Sequence, residues 1–463
     1  MSSTPLQIVI LAAGQGKRMR SSLPKALQVV GGQPLVRHVL ATAQTLLQHA
    51  GSVARPVLVY GHGGDQLRAA LSDANCRWSH QASQHGTGDA LASALPNLTP
   101  EGRVLVLCGD VPLLRIETLR TLLQAPQDAL AILTAILDYP TGYGRVLRDA
   151  PGNVRAIVEQ RDATPEQLTV TEVNTGTLLI PAARLAGWLD RLTADNAQGE
   201  LYLTDIVALA VADGVPVVGV PAAGEAEIMG INDREQLARC EREFQRRQAE
   251  RLLVEGVTLR DPARLDVRGD VIVGWDVEID VNVILEGRVE LGDGVRLGAH
   301  CIVRDAVIEA GARIEPFSLI DGARVGPGAV VGPYARLRPG TELAADVHVG
   351  NFVEVKNSRL ARGAKANHLS YVGDADVGAR VNVGAGTITC NYDGANKHRT
   401  VIGDDAFIGS NSALVAPVSI GEGATIGAGS VISRDAPAGG LTVTRAPQKS
   451  LPGWRRPRKQ SPE

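Results

Sequence analysis

Aromatic residues make up only 3% of this 463-residue chain, and its five cysteines are scattered without any CxxC spacing. This scattered arrangement excludes a disulfide framework and the common zinc sites, so we expect reduced thiols. No stretch approaches the ~20 apolar residues that span a bilayer, and no basic segment precedes the short apolar run near the start. The net charge of −3 provides no broad basic field. We therefore expect a cytoplasmic protein that binds neither membrane nor nucleic acid.

Glycine, by contrast, is abundant, with 51 residues, and the second half of the chain repeats an aliphatic residue every six positions. Thirteen of the fifteen residues at this spacing from Val271 to Val355 are Val or Leu, and all six from Ile402 to Ile432 are Ile or Leu. A period of six fits neither a helix nor a single strand, but it is typical of a coil with three short strands per turn. We predict a parallel β-helix over residues 256–440, with the aliphatic residues inside and glycine or other small residues at the corners.

The first half alternates short apolar runs, such as Leu6–Leu11 and Val104–Cys108, with helix-like segments. This alternation predicts an α/β fold with a mostly parallel, doubly wound (Rossmann-like) sheet. Residues 232–255 contain neither Gly nor Pro and predict a connecting helix. The expected organisation is therefore a first domain at 1–231, the linker helix at 232–255, and a β-helix domain at 256–463 that ends in a basic tail.

A glycine-containing loop, LAAGQGKRM, follows the strand Leu6–Leu11. Met19 stands where a dinucleotide-binding motif has its third glycine, and no GK[ST] follows for a P-loop, so both common motifs are excluded. The loop is rich in backbone amides and can wrap a triphosphate, with positive charge from Lys17, Arg18 and Lys25. The alternative is a tight turn that carries exposed basic side chains.

Asp110 lies just beyond the apolar strand Val104–Cys108, at the end where open α/β sheets bind their ligands. A carboxylate there is well placed to bind Mg²⁺ together with substrate phosphates. A turn with a helix cap is the alternative interpretation of this Gly-Asp pair.

Polar residues interrupt the hexapeptide pattern between Pro333 and Tyr392, in the segments LRPG, EVKN, ANHLSYVGD and VNVGAGTITCNYDG. Function is expected where a regular pattern breaks. A lone histidine on a coil is more often a surface residue, but His368 lies next to Asn367 and close to Tyr371. We therefore treat this region as a second candidate active site.

The ordered motifs LAAGxGxRM, LPK, QxGTG, GDVPL, TGYGR, VEQ and IND resemble those of the sugar-nucleotide pyrophosphorylases. Joined to the hexapeptide half, the chain resembles the bacterial enzymes that combine glucosamine-1-phosphate acetyltransferase with N-acetylglucosamine-1-phosphate uridylyltransferase. The resemblance implies a left-handed coil, Mg²⁺ as cofactor, and a homotrimer with acetyl-transfer sites between subunits. It implies four small-molecule substrates: UTP, acetyl-CoA, glucosamine-1-phosphate and N-acetylglucosamine-1-phosphate.

Two alternatives remain open at this point. A monofunctional sugar-1-phosphate nucleotidyltransferase with a non-catalytic β-helix would lack the NHLSYVGD and CNYDG segments, and both are present. A purely structural coil protein would have no use for the LAAGQGKRM, GDVPL and IND motifs.

By the same resemblance, the first half contributes nucleotide and sugar contacts at Leu11, Ala12, Ala13, Gly14, Lys25, Gln81, Gly86, Thr87, Cys108, Gly109, Asp110, Gly144, Glu159, Asn174 and Asn232. Within this set, Gln81, Gly86 and Thr87 match the family's uracil-reading segment, and Gly144, Glu159 and Asn174 match its sugar contacts. Asp110 and Asn232 match the magnesium ligands, and Lys25 reduces repulsion between the reacting anions. Cys108 stands where many members have tyrosine, which puts one contact to the nucleotide in doubt.

In the second half, the resemblance assigns the sugar phosphate to Arg338 and Lys356 and the sugar to Tyr371 and Asn382. The acetyl-CoA contacts are Ala385, Asn391, Tyr392, Ser410, Ala428 and Arg445. His368 matches the catalytic base. The 2-amino group of the sugar is a nucleophile only when neutral, and an imidazole, with an ordinary pKa of about 6.5, can accept its proton.

Overall fold

The computed structural model describes residues 5–457, which form two compact units that divide between Arg246 and Arg247. The helix Arg234–Val254 spans this division, within the segment predicted as a linker helix. None of the helices in the described part of the chain is both long and apolar enough to cross a membrane.

The strands of the first unit are β1 (Leu6–Leu11), β2 (Val29–Val30), β3 (Gln33–Pro34), β4 (Val57–Tyr60), β5 (Arg77–His80), β6 (Arg103–Cys108), β7 (Leu130–Ile136), β8 (Arg145–Arg148), β9 (Val154–Val158), β10 (Glu172–Pro181) and β11 (Val217–Pro221). Its main sheet has the strand order β11-β7-β10-β6-β1-β4-β5, with β8 and β9 attached beside β10, and β2 and β3 form a small separate hairpin. The α-helices are α1 (Leu35–His49), α2 (Gly64–Ala70), α3 (Thr87–Ala94), α4 (Ile116–Leu122), α5 (Ala182–Leu189), α6 (Ile206–Ala212) and α7 (Arg234–Val254).

Strand β1 lies in the interior of the sheet, where it pairs in parallel with both β4 and β6. Its side chains alternate between two cores, with Ile8 and Ile10 on one side of the sheet and Val9 on the other. All three are buried, because helices cover both faces, and this explains the uninterrupted apolar run in the sequence. The parallel pairing brings the carboxyl ends of β1, β4 and β6 to one edge of the sheet.

The second unit is a parallel β-helix with three faces, and each face stacks short strands from successive coils. The first face contains Thr258–Leu259, Glu278–Ile279, Arg296–Leu297, Arg313–Ile314, Val330–Val331, His348–Asn351, Lys365–His368, Asn382–Val383, Phe407–Ile408, Thr425–Ile426 and Leu441–Thr442. The second contains Leu319–Asp321, Arg336–Leu337, Glu354–Lys356, Tyr371–Gly373, Ile388–Cys390, Ala413–Val415 and Val431–Ile432. The third contains Ala323–Val325, Thr341–Leu343, Arg359–Leu360, Ala375–Val377, Thr400–Ile402 and Val418–Ile420. Longer strands turn from the second face to the third in the early coils: Leu265–Val273, Val283–Leu291 and Ile302–Ile308.

The inward-facing positions of the coil shift by one residue near position 306, which the six-residue repeat did not predict. Three residues predicted to point inward are instead partly or largely exposed: Val307, Arg313 and Leu319. The buried positions are taken by the residues one place earlier, Ala306, Ala312 and Ser318. The cause is a shorter coil, because Leu285 pairs with Val303, 18 positions later, whereas Val289 pairs with Ala306, only 17 positions later.

One corner of the β-helix carries bulky residues, contrary to the prediction of small ones. His300, Phe317 and Tyr334 have φ angles of 61°, 61° and 56°, a left-handed backbone that large side chains rarely adopt. Their rings stack on one another, with centroids 4.8 Å apart for the first pair and 4.9 Å for the second. Ring stacking of this kind offsets part of the free-energy cost of the left-handed backbone. Another corner follows the prediction, with Gly294 and Gly311 at φ 66° and 68°.

Candidate active sites

A cleft of about 510 Å³ opens at the carboxyl ends of β1 and β6 in the first unit. Its volume is typical of sites for small-molecule ligands. The predicted nucleotide loop, the predicted uracil-reading segment and the residues that follow β6 all line it: Leu11, Ala12, Ala13, Gly14, Lys25, Gln81, Gly86, Thr87, Cys108, Gly109 and Asp110. The topology therefore brings these separate motifs to a single place.

The glycine that precedes α3 allows two segments of the cleft wall to pack closely. Gly86 has φ 113°, and a Cβ at this position would lie 2.6 Å from the backbone oxygen of Leu201. The backbone N–H of Gly88 donates to that same oxygen at 2.8 Å. Gln81 Nε2 donates to the Gly86 oxygen at 3.2 Å, which fixes the side chain in the cleft. Only glycine fits at position 86 without moving the neighbouring backbone.

Three polar residues of the cleft were not assigned from the sequence: Gln15, Gln84 and Glu200. Gln84 Nε2 donates to the backbone oxygen of Ala13 at 3.0 Å, so it ties the uracil-reading segment to the nucleotide loop. Gln84 could have been assigned to the cleft from the sequence, because it is the first residue of the QHGTG motif. Glu200 belongs to no motif, and it reaches the cleft because Leu201 N donates to His85 O at 2.7 Å.

The two predicted metal ligands converge on the ammonium group of Lys25. Lys25 forms an ion pair with Asp110 and donates to Asn232 Oδ1 at 3.2 Å. A backbone hydrogen bond of 3.0 Å from Ile231 N to Asp110 O joins the two distant segments. Oxygen atoms from a carboxylate and an amide that meet around one cation are a suitable donor set for a divalent metal, with substrate phosphates as further ligands. The residues present therefore fit such a metal.

The predicted sugar contacts lie together around β8, β9 and β10. Asn174 N donates to Gly144 O at 2.9 Å, and a Cβ on Gly144 would lie 3.4 Å from Glu159 Oε1. Thr204, which the sequence did not indicate, donates to Glu159 Oε1 at 3.1 Å. Burial raises the pKa of Glu159, although the hydrogen bond from Thr204 opposes this. The group presents hydrogen-bonding atoms for a polyol such as a sugar.

Cys108 connects the cleft to β10. Its Sγ donates to the backbone oxygen of Gly176 at 3.6 Å, and a Cβ on Gly176 would come within 2.7 Å of that sulfur. Burial, with a smaller contribution from Asp110, raises the pKa of the thiol to about 12. The group is therefore a neutral thiol that packs against β10, and it cannot provide the hydroxyl contact of a tyrosine.

In the second unit, His368 belongs to a row of residues in register along the edge of the first face. Asn351 pairs with His368, and the pairing of neighbouring strands continues the row through Ala385, Ser410 and Ala428. The row therefore joins the predicted base to three predicted acetyl-CoA contacts. A fourth, Arg445, donates to the backbone oxygen of Ala428 at 2.6 Å.

The predicted sugar-phosphate residues lie on the second face. Arg338 N donates to Val355 O at 2.9 Å, which places Arg338 beside Lys356 on the next coil. The Arg338 side chain also bonds to Glu354 at 3.0 Å. Glu354 pairs in turn with Tyr371 one coil further on. Arg338, Lys356 and Tyr371 thus form one group.

Three predicted residues complete the second region. Asn382 faces outward on the first face, where it pairs with Lys365. Asn391 donates to Tyr371 Oη at 3.3 Å, and the next residue, Tyr392, is 61% exposed. The predicted acetyl-transfer residues are therefore divided between two faces that meet at the corner occupied by Leu369.

Comparison with known proteins decides the family. A bifunctional protein GlmU of Azoarcus sp. (strain BH72) is 59% identical over 98% of this chain and 100% of its own length. Those of Ralstonia pickettii (strain 12J) and Chromobacterium violaceum are 57% and 55% identical over 99% and 98% of this chain, and over 100% and 99% of their own lengths. The chain belongs to the GlmU family. The resemblance found in the motifs is thereby confirmed.

Domain families agree with this membership. The MobA-like NTP transferase domain matches residues 8–203, the bacterial transferase hexapeptide family matches residues 399–434, and the GMPPB C-terminal domain matches residues 267–360. The predicted fold class and the prediction of a bifunctional nucleotidyl- and acyltransferase are confirmed by these matches and by the full-length GlmU relatives. A crystal structure of UDP-glucose pyrophosphorylase complexed with UDP-glucose covers 52% of the chain at 15% identity and a TM-score of 0.42, too low to support an argument. GlmU and related NTP transferases generally use a divalent metal.

Proposed function

We propose that this chain makes UDP-N-acetylglucosamine in two steps. Residues 256–463 transfer an acetyl group from acetyl-CoA to glucosamine-1-phosphate, and residues 1–231 then transfer uridylyl from UTP to N-acetylglucosamine-1-phosphate, with residues 232–255 as the linker. The observation that carries the proposal is that one chain contains two polar clusters and covers the whole length of a GlmU relative. These are the Lys25, Asp110 and Asn232 cluster in the cleft and the His368 row on the coil.

Uridylyl transfer needs no general base, because the phosphate oxygen of the sugar-1-phosphate is already ionised at neutral pH. This oxygen forms a new bond to the α-phosphorus of UTP while the bond to the bridging oxygen breaks and pyrophosphate leaves. Lys25 places a positive charge where the reacting anions meet. Asp110 and Asn232 would hold Mg²⁺, which supplies charge neutralisation for the phosphates when bound. Catalysis here consists of positioning and charge stabilisation.

Acetyl transfer requires a neutral amine and a place for its proton. The backbone oxygen of His368 accepts a hydrogen bond from Gly386 N in the next coil at 3.3 Å. The coil therefore fixes the position of the His368 backbone. We assign its imidazole to accept the proton as the amine forms the C–N bond and the C–S bond of the thioester breaks. Arg338 and Lys356 carry the positive charge suited to the sugar phosphate.

We also propose a cytoplasmic homotrimer. The support for the trimer is that the predicted acetyl-transfer residues lie on two faces of one prism. A neighbouring subunit that packs at the Leu369 corner would complete the site, with Tyr392 exposed for contact.

Two assays on one purified preparation test the proposed function. Pyrophosphate release is measured with UTP and N-acetylglucosamine-1-phosphate, and free thiol release with acetyl-CoA and glucosamine-1-phosphate. We expect both products. A preparation that releases pyrophosphate but no thiol would favour the monofunctional nucleotidyltransferase and contradict the proposal.

A further inference from the structure

A buried carboxylate that belongs to neither set of predicted contacts lies at the corner between the second and third faces. Asp374 is 6% exposed and has φ 48°. Its Oδ1 accepts a hydrogen bond from Nδ2 of Asn357, and its Oδ2 accepts one from Nδ2 of Asn391. A carboxylate is costly to bury unless it is hydrogen bonded, and here both oxygens have a donor.

Asp374 contacts both ends of an insertion in the coil. Arg359 pairs with Asp376, 17 positions later, whereas Ala375 pairs with Thr400, 25 positions later. The extra residues form a loop at 391–399, which we call the inserted loop. The side chain of Asp374 holds its first residue, Asn391, and the Asp374 backbone oxygen accepts from Thr400 N at 3.1 Å just after its end.

The same corner is adjacent to the predicted sugar-phosphate group. Asn391 Nδ2 donates to Asp374 and lies 3.3 Å from Tyr371 Oη, so one amide links the carboxylate to a predicted sugar contact. Burial alone would raise the pKa of Asp374, but hydrogen bonds from Asn357 and Asn391 and the charges of Lys356 and Lys397 lower it. The carboxylate is therefore ionised at neutral pH, within the electrostatic influence of Lys356 and Lys397.

We propose that Asp374 is a positioning residue for acetyl transfer, which seats the inserted loop against Lys356 and Tyr371. The inference rests on the proposed acetyltransferase function. Asp374 acts through Asn391, whose amide it orients, and through the balance of charge at Lys356. It is buried beneath the loop and needs no contact with the substrate to do so.

The first test is Asp374→Asn. Asparagine tolerates the left-handed backbone and has nearly the same volume, so the coil should fold normally. Its amide group, however, would face the amide of Asn357 or Asn391, and the negative charge would be lost. We expect kcat/KM for acetyl transfer to fall about 10- to 100-fold, while uridylyl transfer on the same protein stays within about twofold of wild type.

The matched control is Asp346→Asn. Asp346 also lies at a corner, with φ 60°, and its carboxylate pairs with the exposed Arg362 at 3.2 Å. Exposed ion pairs contribute little to the free energy of folding, so acetyl transfer by this variant should stay within about twofold of wild type.

A polarity swap separates orientation of the loop from a general effect on stability. In Asp374→Asn combined with Asn391→Asp, the new amide can donate to the new carboxylate while its oxygen still accepts from Asn357. We expect the double variant to recover at least about tenfold over Asp374→Asn when that variant has lost 100-fold. Acetyl transfer by Asp374→Asn within threefold of wild type, or a double variant no better than either single variant, would overturn the role. A wild-type protein without acetyl transfer would instead refute the proposed function itself.

Discussion

Single residues from distant parts of the chain meet at the ammonium group of Lys25 in the first unit. Asp110 and Asn232 are far apart in sequence, yet both bond to the ammonium group of Lys25. The family resemblance predicted all three residues, and Asp110 was also predicted from its place just beyond the strand β6, at the ligand-binding edge of the sheet. Glu200 could not be predicted in this way, since only a long-range backbone contact between Leu201 and His85 brings it to the cleft.

Replacement of Asp110 by alanine tests the cation cluster. The variant loses the carboxylate that balances Lys25 and that would hold the metal, so we expect uridylyl transfer to fall by about 10² or more. Chelation with EDTA should have the same effect on the wild type. Acetyl transfer should be unchanged in both cases. Asp128→Ala, at an exposed carboxylate of the same unit, is the control, and full uridylyl transfer by Asp110→Ala would remove the ligand assignment.

At the scale of elements, the six-residue period predicted the strands of the β-helix but not every residue that points inward. The predicted inward residues are buried as far as Cys301 and again from Val325 onward. Between them, a coil that is one residue shorter puts Ala306 at the inward position in place of Val307. Sequence alone could not place this change, because alanine and valine are equally acceptable inside a narrow prism. The stacked rings at His300 and Phe317 were missed for a related reason, since corner residues were expected to be small.

The start of α3 provides a test at this scale. Gly86→Ala would place a Cβ within 2.6 Å of Leu201 O, a backbone atom that cannot move without displacing the cleft wall. We expect KM for UTP to rise at least about tenfold, with acetyl transfer retained. Gly152→Ala is the matched control, because Gly152 also has a positive φ, 92°, but open space around its Cβ position. Equal kinetics for the two variants would show that the close packing at Gly86 does not shape the site.

At the scale of the whole molecule, the two units carry separate chemistry on different architectures. More than half of the 51 glycines lie in the second unit, whereas the few aromatic residues are spread over both units. The continuous apolar runs belong to the strands of the sheet. Both fold classes were therefore predictable. The division of the predicted acetyl-transfer residues between two faces could not be predicted from the sequence. It depends on which side of the Leu369 corner each residue lies.

Assembly is the prediction that follows from this division. Light scattering should give a mass of three times the 48.7 kDa chain, because we propose that a neighbouring subunit closes the acetyl-transfer site at the Leu369 corner. Dilution that dissociates the assembly should abolish acetyl transfer and leave uridylyl transfer intact. A stable monomer that still acetylates glucosamine-1-phosphate would contradict the trimer.

The central claim is that one chain carries two activities on separate residues, and His368→Ala tests it most directly. Both activities are measured on the same purified variant, as thiol release and as pyrophosphate release. Loss of the proton acceptor should lower acetyl transfer by about 10²–10⁴-fold. Uridylyl transfer should equal that of wild type, because we propose that it depends on Lys25, Asp110 and Asn232. A folded variant that acetylates within threefold of wild type, or that loses both activities together, would contradict the account.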